Sequence, residues 1–141
     1  MNIKQFNDWL SIDDKQSLIM GILNVTPDSF SDGGKYFEKN TAIKHALEMV
    51  ENGADIIDIG GESTRPFSDP VSIDKEISRV IPVIEGIREK SDVCISIDTT
   101  KSIVASESLN VGASIINDVS AMEVDPLMAD VAIKFDCPLI I

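Results

Sequence analysis

The feature that most constrains the fold is a regular alternation of short apolar runs and longer amphipathic segments along the 141 residues. The runs are rich in Ile and Val without strict alternation, which is typical of parallel strands covered on both faces. They lie at residues 18–24, 55–60, 93–98, 114–119 and 138–141. This pattern predicts a parallel sheet whose strands are joined by helical crossovers.

Helical periodicity marks the intervening segments, at residues 41–52, 72–90, 100–111 and 127–135. Ser72 is predicted to cap the second of these helices. Pro82 lies inside the same pattern, where it predicts a kink or a division. Asp125 followed by Pro126 is predicted to cap the fourth helix.

The chain contains no Ser- or Pro-rich linker, which predicts a single domain over residues 1–141. Two architectures fit this order of elements. A doubly wound five-stranded sheet has about this size. The front half of a (β/α)₈ barrel fits equally well, since a whole barrel needs about 250 residues. In both, functional residues gather at the C-terminal ends of the strands.

The formal net charge is −12, from 12 basic and 24 acidic residues. We expect neither a nucleic-acid partner nor an anionic membrane surface, because both kinds of binding rely on Lys and Arg meeting phosphates. No apolar stretch approaches the ~20 residues of a membrane span, and the N-terminus is too polar for a signal peptide. Positive charge for an anionic ligand would have to come from a metal ion, helix N-termini or basic residues supplied from elsewhere.

The two cysteines and the single histidine predict no reactive or zinc site. Cys94 and Cys137 each lie in an apolar run and are predicted to be buried free thiols, which suits a reducing cytoplasm. His45 is predicted to face solvent on a helix. One histidine supplies neither a zinc site nor a catalytic triad.

Small polar residues end each of the four complete strands: Asn24, Asp58, Asp98 and Asn117-Asp118. A buried carboxylate or amide needs hydrogen-bond partners, so four such ends at one edge of a sheet predict a shared polar pocket. No glycine-rich nucleotide motif accompanies them. The residues alone predict an α/β enzyme with carboxylate and amide oxygens that suit a hard cation, and they leave the substrate open.

Two longer strings resemble the signatures of the dihydropteroate synthase family. They are MGILNVTPDSFSDGG at residues 20–34 and GADIIDIGGESTRP at residues 53–66. Residues 95–99, ISIDT, and 115–119, IINDV, are similar to the ends of that family's third and fourth strands. The resemblance runs from about Leu18 to the last residue.

The resemblance implies a (β/α)₈ barrel of which this chain covers the first four βα units and the start of strand five. It implies an enzyme of folate synthesis that joins p-aminobenzoate to 6-hydroxymethyl-7,8-dihydropterin diphosphate and releases pyrophosphate. A cytoplasmic location and a homodimeric full-length enzyme are expected with it.

By the same resemblance, Asn24 would bind Mg²⁺, while Asp98 and Asn117 would hold the pterin edge in catalytic roles. Asp98 would also stabilise positive charge that develops on the pterin as the C–O bond breaks. Asp58 has two interpretations that stay open, support of these residues and a purely structural role.

The two loops supply the remaining predicted substrate-binding residues. Thr64 would contact the pterin diphosphate, and Arg65 would close over the substrate. Phe30 and Pro66 would help to form the p-aminobenzoate pocket. Phe67 stands where the family usually has glycine. Two interpretations stay open, altered contacts to p-aminobenzoate or sulfonamides and neutral surface variation, and the second is slightly favoured.

The family's later pterin-binding Asp and Lys, and the Arg and His of its anion site, would lie beyond residue 141. This chain alone is therefore expected to be inactive and incomplete at its C-terminus. Two alternatives remain, a pterin-binding methyltransferase barrel and a non-catalytic half-barrel that only binds or assembles.

Overall fold

A computed structural model describes residues 1–26, 35–62 and 70–141, and there the alternating pattern forms one parallel sheet with intervening helices. The strands are β1 (Met20–Asn24), β2 (Ile56–Gly60), β3 (Cys94–Asp98), β4 (Ile115–Asn117) and β5 (Leu139–Ile140). The helices are α1 (Ile3–Leu10), α2 (Lys35–Glu51), α3 (Ile73–Arg88), α4 (Ser102–Asn110) and α5 (Met128–Phe135).

The order of the strands separates the two architectures that the sequence allows. Every neighbouring pair is parallel, and the spatial order β1-β2-β3-β4-β5 follows the chain. A doubly wound sheet reverses its order at a switch point, whereas this sheet always steps in one direction. Helix α2 packs on α3, α3 on α4 and α4 on α5, as in the wall of a barrel with its helices outside.

The two faces of the sheet bury different clusters because successive side chains point to opposite faces. On the helix-covered side, one large core joins strands to helices; its fully buried strand members are Leu23, Ile57, Ile59, Ile95, Ile97 and Ile116. On the other side, called the inner face below, Ile56, Cys94 and Ile115 form a smaller cluster with Phe6 of α1. Helix α1 thus covers the N-terminal end of the inner face.

Helix α1 was not predicted from the sequence, although its start carries a local signal. The Asn2 side chain accepts from the Gln5 backbone N–H at 3.0 Å, and the Gln5 side chain accepts from the Asn2 N–H at 2.8 Å. This reciprocal capping box satisfies two backbone donors at the helix start. The rings of Phe6 and Trp9 stack with centroids 5.6 Å apart, and both residues pack with Ile56, Cys94 and Ile115.

The boundaries of several elements differ from the predicted ones. Each strand begins one or two residues later than predicted, and β4 ends at Asn117, so Asp118 and Val119 lie in the following loop. Helix α2 begins at Lys35, ahead of the predicted residue 41. The described residues contain no helix long and apolar enough to cross a membrane.

Helix α3 runs without a break through Pro82, so the predicted division is wrong. Proline removes one backbone donor, but the buried stripe of Val80, Ile84 and Ile87 holds the helix against the core. Its N-cap is Ser72, as predicted, with the hydroxyl accepting from Lys75 N–H at 3.4 Å.

Asp125 does not cap α5 as predicted, since Leu127 occupies that position. Its carboxylate instead accepts the N–H of Ser102 at 2.8 Å and that of Leu127 at 3.1 Å. One side chain therefore joins the start of α4 to the turn before α5.

The cysteines and the histidine largely follow the predictions. Both cysteines are free thiols; Cys94 is buried as predicted, whereas Cys137 is only half-buried. His45 is exposed on α2, 3.9 Å from Glu48.

Candidate functional site

The register of the sheet brings three predicted site residues into one row at its C-terminal edge. Asn24 pairs with Gly60, Gly60 with Asp98, and Asp98 with Asn117. Since residues in register share a face, the side chains of Asn24, Asp98 and Asn117 lie together on the inner face. We call these three residues the edge row.

Gly60 occupies the position between Asn24 and Asp98, and its lack of a side chain leaves the space between them open. A Cβ at this glycine would lie 3.4 Å from Asp98 Oδ2 and 3.5 Å from Asn24 Oδ1. The amide oxygen and the carboxylate therefore border the same small volume.

Asp58 lies one layer below the edge row, in register with Ser96 and Ile115. It is 3% exposed, and its Oδ2 accepts from Asn117 Nδ2 at 3.0 Å. Within the part of the chain that the structure describes, its Oδ1 and the Ser96 hydroxyl make no hydrogen bond of regular geometry. Burial raises the pKa of Asp58 above its ordinary value, and the neighbouring Ser96 and Asn117 offset only part of that effect.

Asp98 is the titratable group of the edge row. Burial first, and then the charges of Asp58, Glu76 and Asp118, raise its pKa to about 6. The carboxylate is still ionised at neutral pH, where it adds to a concentrated negative potential at this end of the sheet. Such a place attracts cations and developing positive charge.

Asp118 does not share the polar pocket as the sequence predicted, because its carboxylate is used by its own loop. It accepts from the backbone and hydroxyl of Ser120 at 2.9 and 2.7 Å and from Met122 N–H at 2.8 Å. These bonds hold a turn in which Ala121 and Met122 have φ of 51° and 68°. The fourth polar strand end therefore contributes Asn117 alone to the edge row.

A partly buried ion triad of Glu62, Glu76 and Lys101 was missed by the sequence-based reasoning. Lys101 Nζ donates to Glu62 and, at 2.6 Å, to Glu76, which is 0% exposed. These partners raise the pKa of Lys101 despite the opposing effect of burial. A signal was present, since Glu76 falls on the apolar stripe of α3, four residues before Val80.

Glu62 also joins the two ends of the loop that follows β2. Burial alone would raise its pKa, but bonds from Lys101 and from the Val71 N–H at 2.8 Å hold it below its ordinary value. Gly61 is fixed beside it, because Arg79 donates to its carbonyl oxygen at 2.6 Å. A Cβ on Gly61 would lie 2.8 Å from Val80 Cγ1, so no larger residue fits unchanged.

Several predicted site residues lie outside the described residues: Phe30 in the first loop, and Thr64, Arg65, Pro66 and Phe67 in the second. Their roles stay predictions.

Only a sparsely coordinated metal fits the donors present. Residues 1–26, 35–62 and 70–141 contain no group of three or more His, Cys, Asp or Glu that could hold an ion. Mg²⁺, however, is often bound through one or two protein oxygens, with water and substrate phosphates as its other ligands. The exposed amide of Asn24, beside Asp98 across Gly60, fits that kind of site.

The sequence matches the family of pterin binding enzymes over residues 20–141. It is 57% identical over 127 residues to the dihydropteroate synthase of Bacillus subtilis (strain 168), covering 90% of this chain and 45% of that protein. It is 53% identical over 124 residues to the dihydropteroate synthase of Clostridium beijerinckii, covering 88% of this chain and 46% of that protein.

Solved structures agree with these relatives. Dihydropteroate synthase from Clostridium difficile, crystallised in the presence of pteroic acid, has a TM-score of 0.86 at 52% identity and covers 91% of this chain and 49% of that chain. The Xanthomonas albilineans dihydropteroate synthase with 4-aminobenzoic acid has a TM-score of 0.83 at 44% identity, and the match covers 88% of this chain and 45% of that chain.

The sheet is thus part of a (β/α)₈ barrel, and this chain forms its first four βα units and the start of strand five. The chain spans about half the length of the curated relatives it matches. The family match, in contrast, covers nearly the whole chain, from residue 20 to residue 141, and the chain therefore belongs to the family of pterin binding enzymes.

Proposed function

We propose that the protein carrying this chain is a dihydropteroate synthase. The reaction joins p-aminobenzoate to 6-hydroxymethyl-7,8-dihydropterin diphosphate and releases pyrophosphate. The observation that carries the proposal is the edge row, which brings a neutral amide, a carboxylate and a second amide to one end of the sheet. The high identity to named synthases supports the same reaction.

Asp98 and Asn117 have the chemistry needed to hold a pterin edge, which presents amino and ring N–H donors beside a carbonyl acceptor. A carboxylate accepts from donors, and an amide matches a donor next to an acceptor. The two residues are in register on neighbouring strands, so both can reach one flat ring.

Asp98 has a second proposed role in the departure of the diphosphate. If the C–O bond breaks ahead of attack by the amine, positive charge spreads over the pterin. A fixed carboxylate stabilises that charge more in the transition state than in the bound substrate. The surrounding carboxylates that raise the pKa of Asp98 also favour the nearby cation.

Asn24 would hold Mg²⁺, which when bound would neutralise charge on the leaving pyrophosphate. This accounts for anion chemistry in a chain with a net charge of −12. The further proposed contacts, Thr64 to the diphosphate, Arg65 as a closing residue, and Phe30 and Pro66 to p-aminobenzoate, are predictions from the sequence. A homodimer and a cytoplasmic location are predictions as well.

The test is a condensation assay on a polypeptide that includes this chain and extends to the length of its curated relatives, called the full-length enzyme below. We expect dihydropteroate from pterin diphosphate and p-aminobenzoate with Mg²⁺, and none from residues 1–141 alone. Asn24→Ala should raise the Mg²⁺ concentration needed for half-maximal rate by about tenfold, the loss of one charge-assisted contact.

Absence of dihydropteroate from the full-length enzyme would contradict the synthase assignment, and pterin-dependent methyl transfer would then be assayed as the alternative. An unchanged Mg²⁺ titration in Asn24→Ala, with normal turnover, would contradict only the metal role.

A further inference from the structure

We propose that Asp58 is a positioning residue that sets the orientation of the Asn117 amide, and so decides which hydrogen-bonding groups Asn117 presents in the edge row. The consequence for pterin binding rests on the proposed function. The orientation itself is a property of the protein without substrate and is tested separately.

The contact joins two strands that are not neighbours. Asp58 is on β2 and Asn117 is on β4, with β3 between them, yet Asn117 Nδ2 lies 3.0 Å from Asp58 Oδ2. Asp58 is almost fully buried one layer below the edge row. The Asn117 side chain therefore has a buried carboxylate as its support beneath the edge row.

The chemistry of the pair determines whether the NH₂ group or the carbonyl oxygen of the Asn117 amide faces Asp58. An ionised carboxylate only accepts hydrogen bonds, whereas a side-chain amide has an accepting oxygen and a donating NH₂ group. Only the NH₂ group of Asn117 can face Asp58 without bringing two acceptors together. The Asn117 carbonyl oxygen and its second N–H are thereby left for a ligand.

The bond from Asn117 is the one regular hydrogen bond that the described residues give the Asp58 side chain. Asp118, the neighbouring buried carboxylate, satisfies both of its oxygens with donors of its own loop. Asp58 in contrast accepts from the Asn117 side chain, and its Oδ1 has no regular hydrogen bond to any residue in the ranges 1–26, 35–62 and 70–141. A buried carboxylate used in this way serves the orientation of the amide rather than a turn or a helix cap.

An Asn117 amide held in one orientation selects ligands by the order of their donor and acceptor groups. A heteroaromatic edge with a donor and an acceptor side by side, such as that of a pterin, pairs with an amide in one sense and meets like groups in the reverse sense. Asp58 would thus act on specificity without touching the ligand.

The first experiment measures the amide directly in ¹⁵N-labelled full-length enzyme without ligands. The side-chain NH₂ signals of Asn117 are assigned by their loss in Asn117→Ala. Asp58→Asn keeps the size of residue 58 but lets it donate as well as accept, so we expect the Asn117 signals to move and broaden. Ile115→Val, a buried change in the same layer, is the matched control and should leave them in place.

The second experiment measures binding of 6-hydroxymethylpterin by calorimetry in a double-mutant cycle. Asp58→Asn should weaken binding by about tenfold, the worth of one well-oriented hydrogen bond. Asn117→Ala should weaken it at least as much. If Asp58 acts through Asn117, the double variant should bind no more weakly than Asn117→Ala alone.

Unchanged Asn117 signals in Asp58→Asn would overturn the inference, as would additive losses in the cycle. Failure of the unaltered enzyme to bind the pterin would instead contradict the proposed function, while the NMR comparison would still decide the role of Asp58.

Discussion

The surroundings of Asp98 raise the free energy of its ionised form. Its partner residues along the register are the small Gly60 and the neutral Asn117, and the charges that act on it are other carboxylates. The ionised form is therefore tolerated rather than stabilised by the fold. This placement suits the role proposed for Asp98 beside a cationic transition state, and it lowers the stability of the folded protein when no ligand is bound.

The loss of stability caused by the ionised Asp98 should appear as a pH-dependent difference between the unaltered protein and Asp98→Asn. The pKa of Asp98 is about 6 in the folded protein against 3.8 as its ordinary value. The folded state binds more protons between these values, so the free energy of unfolding falls as pH rises through that window. The loss of unfolding free energy is complete once the pH is well above about 6, and it is absent below pH 3.8.

We expect Asp98→Asn to melt roughly 2–4 °C above the unaltered enzyme at pH 7.5, which corresponds to ~1 kcal/mol after allowance for solvent screening. The difference should vanish toward pH 4. Calorimetric melting without Mg²⁺ or substrate measures it, and a difference that does not vary with pH would contradict the assigned pKa.

At the scale of elements, the ion triad ties the segments after β2 and β3 to helix α3. Lys101 precedes α4, Glu62 follows β2, and Glu76 lies in the first turn of α3. Glu76 Oε1 has no hydrogen-bond partner among the described residues, so there the carboxylate depends on Lys101 for compensation of its charge.

Lys101→Met should destabilise the full-length enzyme by ~3–5 kcal/mol, because it leaves a buried carboxylate without its cation. Adding Glu76→Gln should restore part of this loss. Lys44→Met is the matched control, since Lys44 pairs with Glu48 on the exposed surface at 3.5 Å and should cost less than ~0.5 kcal/mol. Urea denaturation measures the unfolding free energy of all three variants. Equal losses in Lys101→Met and Lys44→Met would show that the triad stabilises the protein no more than an exposed ion pair does.

At the scale of the whole molecule, the two ends of the inner face differ: the N-terminal end is an apolar packing cluster and the C-terminal end is polar. The N-terminal end of the inner face is closed by α1, with Phe6 5% exposed against Ile56, Cys94 and Ile115. Cys94 N–H also donates to the Met1 carbonyl oxygen at 2.7 Å. The C-terminal end carries the edge row, so the packing cluster and the proposed site lie at opposite ends of the strands, as is usual in barrels of this type.

This separation predicts that Phe6→Ala loses stability without losing substrate affinity. Removal of a buried aromatic ring should cost ~3–5 kcal/mol, whereas Leu10→Ala on the same helix, where Leu10 is 46% exposed, should cost far less. Urea midpoints give the stability, and the KM for pterin diphosphate should stay within about twofold in both variants. A selective rise in KM for Phe6→Ala would show that the two ends are coupled.

The local content of the sequence accounts for the order of strands and helices, the Ser72 cap and the polar residues at the strand ends. Each of these depends on neighbours a few positions apart, through side-chain alternation, helical periodicity and backbone capping. The family resemblance added the barrel and the predicted site roles of Asn24, Asp98 and Asn117, and those roles stay predictions. The capping box at Asn2 was equally local and was overlooked.

The tertiary structure alone decided which of those residues meet. The Asp58–Asn117 bond joins positions 59 apart in the chain, and Lys101 reaches Glu76 and Glu62 across 25 and 39 positions. The same holds for the sequential sheet order and for α1 as a cover of the inner face. Such contacts depend on strand register and on the relative placement of helices, and local periodicity carries no information about either.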